Sequence, residues 1–187
     1  MKFKLITSAI VVALLSVGTV CGAGEKEDEQ AKIRKAAAQA LNDLYKAQPA
    51  ARAAIQSAAG YAVFKNFGTN VLVLSTARGA GVAVNNGSKQ ETFMKMVSAG
   101  AGLGVGVKDF RVIFVFKTPG AFANFLNSGW SGSAQTDAAA KGGSKGGAVS
   151  GAVEVAPDVY VYQMTKNGVA LQLTLQGTKY YKNDELN

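Results

Sequence analysis

The spacing of apolar positions divides the chain into a helical first part and a β-rich second part. Between residues 25 and 47, apolar residues recur every three or four positions, and this period predicts an amphipathic helix. Pro49 interrupts the pattern, and a second helix is predicted over 50–59, ending at Gly60. Together these two segments predict an antiparallel helical hairpin.

From residue 61 onward the apolar period changes to two, which predicts strands. Segment 109–117 is apolar on both faces at its centre, so we expect it to be covered on both sides. Thr118 and Pro119 form an N-cap and first-turn pair for a short helix over 121–127. The predicted strands cover 61–67, 70–77, 80–84, 90–98, 109–117, 147–155, 158–164 and 169–176.

This order of elements predicts an α+β fold. We expect the N-terminal helical hairpin to pack on a mostly antiparallel, glycine-bent β-sheet or barrel-like sheet, with one short inserted helix. Residues 24–187 would form a single domain, in which 24–60 are the helical part and 61–187 the β-rich part.

Residues 1–23 are typical of a secretory signal peptide. Two lysines precede an apolar run over 5–17, which is shorter than the roughly 20 residues of a membrane-spanning helix. Small residues follow, so ordinary cleavage after Ala23 or Gly24 is one expectation. Cleavage before Cys21 would instead give a lipoprotein, although Val20 is bulky for a lipidation signal. We therefore expect an exported protein of the periplasm or outer membrane.

Composition removes most enzymatic mechanisms. The chain has no histidine and Cys21 is its single cysteine, which excludes Ser-His-Asp triads, His-ligated zinc and internal disulfides. The carboxylates form no recognisable catalytic pair. We therefore predict a protein that is not an enzyme and uses no metal or other cofactor.

The charge balance indicates an anionic partner. The formal net charge is +8, and loss of Lys2 and Lys4 with the signal peptide leaves +6. A basic domain is attracted to anionic phospholipid headgroups. We expect a phospholipid or membrane surface as partner, and no nucleic acid.

Glycine-rich segments supply the candidate binding residues. Alternate glycines from Gly100 to Gly106 would share one strand face, which suits either close packing or a ligand slot. Segment 141–147 mixes lysines with glycines whose backbone amides can meet an anion, although it can equally be a solvated loop. The candidate headgroup residues are Lys141, Gly142, Gly143, Lys145, Gly146 and, beside another glycine pair, Arg78.

Four landmarks, taken in order and spacing, resemble one family. They are Gly60-Tyr-Ala-Val-Phe64, Arg78-Gly-Ala-Gly-Val82, the Gly100–Gly106 run into 109–116, and 168–177 followed by Tyr180-Tyr181. Over residues 31–187 the chain resembles the SYLF family, the bacterial phospholipid-binding domain family. The resemblance implies phospholipid binding, with phosphoinositide ligands and, in some cases, actin binding in eukaryotic members. An exported protein has no actin to meet.

The resemblance also implies a membrane-facing N-terminal helix, whose matching residues here are Lys32, Arg34 and Lys35. This helix is rich in alanine and lacks the Trp and Phe of a strong interfacial helix. Our expectation is a non-enzymatic phospholipid-binding protein of the cell envelope. The alternative is a structural or protein-binding envelope protein that uses a sheet edge or the glycine-rich face.

Overall fold

The computed structural model describes residues 21–66, 76–99, 111–132, 151–165, 168–170 and 178–187. Three helices and nine strands are described within these ranges. The helices are α1 (Cys21–Ala47), α2 (Ala50–Ser57) and α3 (Pro119–Ser128). The strands are β1 (Gly60–Asn66), β2 (Thr76–Asn85), β3 (Glu91–Ala99), β4 (Arg111–Phe116), β5 (Trp130–Ser131), β6 (Val153–Ala156), β7 (Val159–Thr165), β8 (Gly168–Ala170) and β9 (Thr178–Lys182).

The described strands form one curled antiparallel sheet, ordered β5-β9-β3-β2-β1-β4-β7-β6. β7 pairs with β4 along one edge, while its other edge pairs first with β6 and then with β8. The pairing of β7 with β8 joins the last two predicted strands, 158–164 and 169–176, in antiparallel register. The α+β class, the N-terminal helices and the inserted helix α3 are thus confirmed.

Helices α1 and α2 cover one face of the sheet, which we call the helix face. Ile33, Ala37, Ala40 and Leu44 of α1 are buried at helical spacing, together with Ile55 of α2. Burying one Leu or Ile side chain contributes about 1.5–3 kcal/mol, so this apolar seam holds α1 on the sheet. The sheet residues beneath the helices include Val63, Val82, Phe93, Ile113 and Tyr162.

The opposite face, which we call the aromatic face, packs against α3. Tyr180 makes edge-to-face contacts with Phe64 and Phe114, at ring-centroid distances of 4.7 and 4.9 Å. Trp130 is buried in the same cluster, as a core residue. Val112–Phe116 of β4 are buried on alternate faces, which confirms the prediction that this strand is covered on both sides.

Helix α3 has the predicted Thr118–Pro119 start, but it covers Pro119–Ser128 and is longer than the predicted 121–127. The Thr118 hydroxyl accepts a hydrogen bond from the Ala121 N–H at 3.3 Å, and Pro119 occupies the first turn. Gly129 follows the last turn with a φ of +68°, a left-handed conformation that glycine adopts without strain.

Several predicted boundaries are wrong. β2 is one continuous strand, because its glycine-containing centre pairs on both sides, with β1 and with β3. β6 starts only at Val153, since Gly151 turns the chain at a φ of +81°. β9 was not among the predicted strands, because it is short and rich in lysine. α1 already includes Cys21, the first described residue, which lies four residues before the predicted start of the helix.

The segment 183–187 fastens the first half of α1 to β3. The Gln30 side-chain amide donates to the Leu186 carbonyl at 2.7 Å, and Leu186 is buried on the helix face. The Asn187 side chain donates to the Phe93 carbonyl and accepts from the Phe93 N–H. These bonds make α1 an integral part of the folded domain.

Candidate anion-binding surface

Strand register gathers five basic residues at one end of the helix face. Arg111 and Lys65 are direct cross-strand partners, and Lys65 also faces Ala80, whose other partner is Lys95. One step further along the strands, Arg78 faces Val97, whose other partner is Lys179. Alternate residues of a strand share a face, so all five share the face of Val63 and Ile113. We call this set the basic end: Lys65, Arg78, Lys95, Arg111 and Lys179.

Two of these cations are paired with carboxylates. The Arg111 guanidinium donates to Asp43 of α1 at 2.5 Å, and this pair is partly buried. The Lys95 ammonium donates to Glu185 at 2.7 Å. That hydrogen bond raises the pKa of Lys95 and lowers the pKa of Glu185. Both pairs lie where α1 or the segment 183–187 meets the sheet.

The other three cations have no carboxylate partner among the described residues. Arg78 and Lys179 are exposed, whereas Lys65 is half-buried. Lys65 lies directly across from Arg111, and like charges in that arrangement repel. The five cations and two carboxylates give this surface a net charge of +3. Such a surface is electrostatically complementary to an anion.

Arg78 lies in the middle of a strand. The segment Arg78–Gly81 was predicted as a base beside an anion-binding glycine pair, but its backbone pairs with β1 and β3 over Gly79–Gly81. Its amides therefore do not form a separate anion-binding turn. Arg78 contributes its exposed guanidinium to the basic end instead.

The helix candidates do not all share one face of α1. Successive helical residues are rotated by about 100°, so Lys32 and Lys35, three residues apart, lie on the same side of the helix, whereas Arg34 points away from both. Arg34 bonds Glu91 at 2.6 Å, and its guanidinium lies 5.0 Å from the Phe93 ring centroid. Lys32 and Lys35 are exposed. The apolar side of α1 is already buried against the sheet.

Other predicted site residues lie outside the described residues. They are Lys141, Gly142, Gly143, Lys145 and Gly146, together with the Gly100–Gly106 run. Cys21 is the first residue of α1, and its side chain is not among those described. The assignments of headgroup binding and lipidation to these residues stay predictions.

The described residues contain no group of three His, Cys, Asp or Glu side chains that could hold a metal ion. A cleft of about 290 Å³ beside α2 is lined partly by Ser57, Lys117 and Tyr160. There the Lys117 ammonium donates to the Tyr160 hydroxyl at 3.2 Å. None of the described residues that line this cleft carries a carboxylate. Within the described part of the chain, no helix has the length and apolarity to span a membrane.

Sequence reasoning missed four residues of the basic end. Lys65, Arg111 and Lys179 each lie near the end of a strand, and Lys95 lies in the centre of β3. In the sequence each of them resembles an ordinary solvated charge. Their convergence depends on which strands are neighbours and in what register. The sequence did contain one signal. Lys65 lies two residues after Val63, and Arg111 lies two residues before Ile113, so each lysine or arginine shares a strand face with an apolar residue.

The fold and this surface define an α+β domain with a cationic end on its helix-covered face. No family model matches the chain. The chain is 32% identical over 147 residues to Beta cell expansion factor A of Aeromonas veronii. That alignment covers 79% of this chain and 54% of the relative, so the chain spans about half the length of the curated relative it matches.

Proposed function

We propose that this protein binds anionic phospholipid surfaces of the cell envelope through the basic end, without catalysing a reaction. The observation that carries the proposal is the convergence of five cations and two carboxylates on one face of the sheet. Each Lys or Arg held near an anionic leaflet contributes about 1 kcal/mol. Lys65, Arg78 and Lys179, which have no carboxylate partner among the described residues, are therefore sufficient for a measurable attraction.

The proposal includes membership of the SYLF family. The described parts of those landmark segments fall on β1, β2, β4, β8 and β9, and all of these strands except β8 carry a residue of the basic end. The similarity to Beta cell expansion factor A spans most of the chain. Phospholipid binding is what the SYLF resemblance implies, and the cationic surface is a physical reason for it.

We propose contact by charge in place of insertion of α1. Inserting its apolar side into a bilayer would require Ile33, Ala37 and Leu44 to leave the sheet. It would also break the hydrogen bond that the Gln30 side chain donates to the Leu186 carbonyl. The basic end can contact an anionic surface while α1 stays packed on the sheet and this hydrogen bond stays intact.

The test is co-sedimentation with vesicles over a salt series. Exposed charges are screened beyond about 8 Å at physiological ionic strength, so binding to anionic vesicles should weaken steeply as salt rises. Neutral phosphatidylcholine vesicles should bind poorly. Affinity that is indifferent to both salt and lipid charge would exclude the electrostatic mechanism and favour an apolar slot.

A second candidate function is protein binding through the sheet edge. β6 pairs only with β7 among the described strands, and its Val153 is 37% exposed. An edge strand with an exposed apolar residue can accept a strand from another chain. Absence of vesicle binding under every lipid composition would favour this candidate.

We propose export to the periplasm or outer membrane as the location. The intact mass of protein isolated from the envelope fraction tests this proposal. A mature N-terminus between Ala23 and Glu25, or a lipidated Cys21, is the expected result. An unprocessed cytosolic species beginning at Met1 would contradict it.

A further inference from the structure

We propose that Lys65, Arg78 and Arg111 form a discrete phosphate-binding site that prefers phosphomonoesters to phosphodiesters. This inference rests on the proposed lipid binding and makes it more specific, because diffuse attraction needs no defined site. The ligand chemistry is a phosphate dianion, which a lipid headgroup or a soluble phosphate can supply.

The backbone brings the three side chains together. Lys65 of β1 and Arg111 of β4 are direct cross-strand partners, which places their Cα atoms about 4.5–5.5 Å apart. Arg78 of β2 is the diagonal neighbour of Lys65, two residues from its partner Ala80, at a distance of about 7–8 Å. Three long cationic side chains on one face, with such spacing, can converge on a single phosphate.

Asp43 orients one of these groups. The Asp43 carboxylate of α1 accepts a hydrogen bond of 2.5 Å from one N–H of the Arg111 guanidinium. A guanidinium has five N–H donors in a planar fork, so several remain for a phosphate. Arg111 is partly buried, with 16% of its side chain exposed, and this pairing restricts its conformations before a ligand arrives.

The charge of the site selects the ligand. Three cations and the Asp43 carboxylate leave a net charge of +2. A phosphomonoester carries about −1.5 to −2 at pH 7, whereas a phosphodiester carries a single negative charge. Only the monoester neutralises the site, and it also relieves the repulsion between Lys65 and Arg111.

The experiment compares two vesicle compositions and one soluble probe with the full chain. Phosphatidylcholine vesicles containing phosphatidic acid, a monoester, are matched in surface potential to vesicles containing phosphatidylglycerol, a diester. Inorganic phosphate is titrated separately and followed by amide chemical shifts. We expect tighter binding to the phosphatidic acid vesicles, and saturable phosphate shifts around Lys65 and Arg111.

The test variant is Lys65→Gln, and Lys46→Gln is its charge-matched control. Lys46 is exposed near the end of α1 and makes no ion pair with described residues. Loss of one charge-assisted bond should weaken phosphatidic acid binding by Lys65→Gln about tenfold and remove the monoester preference. Lys46→Gln should keep that preference. Lys65→Arg should restore it, and melting curves verify folding of each variant.

The outcomes separate this inference from the proposed function. Equal losses in Lys65→Gln and Lys46→Gln, with salt-sensitive vesicle binding, would overturn the discrete site and leave lipid binding standing. Phosphate binding that requires Lys65, without vesicle binding, would support the site with a soluble phosphate as its source and overturn the lipid function. If neither vesicle binding nor phosphate binding depends on Lys65, the discrete site is overturned.

Discussion

Tyr180 is a buried polar residue whose hydroxyl has no hydrogen-bond partner within the described part of the protein. Its ring packs on Phe64, Phe114 and Trp130. Burial favours the neutral phenol and raises the pKa of Tyr180 above its ordinary value of 10.0. Burial also raises the pKa values of Tyr45 and Tyr162.

These shifts predict loss of stability in alkali. Below pH about 10 the tyrosines are neutral in both folded and unfolded chains, so the native stability is fully present. Above that pH the unfolded chain ionises first, and the free energy of unfolding falls as pH rises through the raised folded pKa values. Denaturation in urea between pH 7 and pH 11 measures this decline.

Tyr180→Phe should be neutral or stabilising by up to about 1 kcal/mol at pH 7, because it removes an unsatisfied buried hydroxyl. It should also make the alkaline decline shallower. Tyr181→Phe is the control, since Tyr181 is 42% exposed and should change neither quantity. Destabilisation of Tyr180→Phe by more than about 1 kcal/mol would indicate that the hydroxyl has a partner.

At the scale of elements, the sequence predicted those helix features that depend on neighbouring residues in the chain. The apolar repeat of α1 and the Thr118–Pro119 start of α3 are properties of contiguous residues, and both are confirmed. The unbroken course of β2 depends instead on two neighbouring strands that satisfy its backbone on either side. Local sequence alone does not contain that information, and the predicted strands 70–77 and 80–84 left a break at Arg78 and Gly79.

Gly81 is a strand glycine whose conformation is unremarkable but whose surroundings are crowded. It faces Phe64 across the β1–β2 pair, and a Cβ at this position would overlap the Phe64 ring and the Val63 carbonyl oxygen. Gly81→Ala should therefore lower the free energy of unfolding by about 1–3 kcal/mol, as overpacking does. Chemical denaturation measures the change.

Gly120→Ala is the matched control for Gly81→Ala. Gly120 lies in the first turn of α3, and an added Cβ meets no atom within 4 Å. Alanine is favoured over glycine in a helix, so this variant should hold or gain stability. Equal stability of the two variants would mean that Phe64 moves aside without cost.

On the scale of the whole molecule, the sequence predicts the net charge of the candidate site better than it predicts which charged residues form the site. The basic balance and Arg78 were found directly, whereas Lys65 and Arg111 converge only after β1 and β4 pair. Because Lys65 and Arg111 are far apart in the sequence, the sequence alone does not predict that they are neighbours. The opposite holds for the segment 141–147. Its lysines and glycines are recognisable in the sequence as a candidate anion-binding segment, but the segment lies outside the described residues.

The last prediction compares that segment with α1 in vesicle binding. Lys141→Ala with Lys145→Ala removes two charges from a glycine-rich segment whose amides can also bind an anion. Lys32→Ala with Lys35→Ala removes two exposed charges that lie three residues apart on one side of α1. At about 1 kcal/mol per charge, either pair accounts for at most about 2 kcal/mol of diffuse attraction. We expect the larger loss of affinity from the 141/145 pair, because it would also remove the partners of a defined headgroup. Co-sedimentation at low salt, after melting curves verify folding, measures both losses. Equal losses would assign both pairs to diffuse attraction alone, and a larger loss from the helix pair would move the membrane contact to α1.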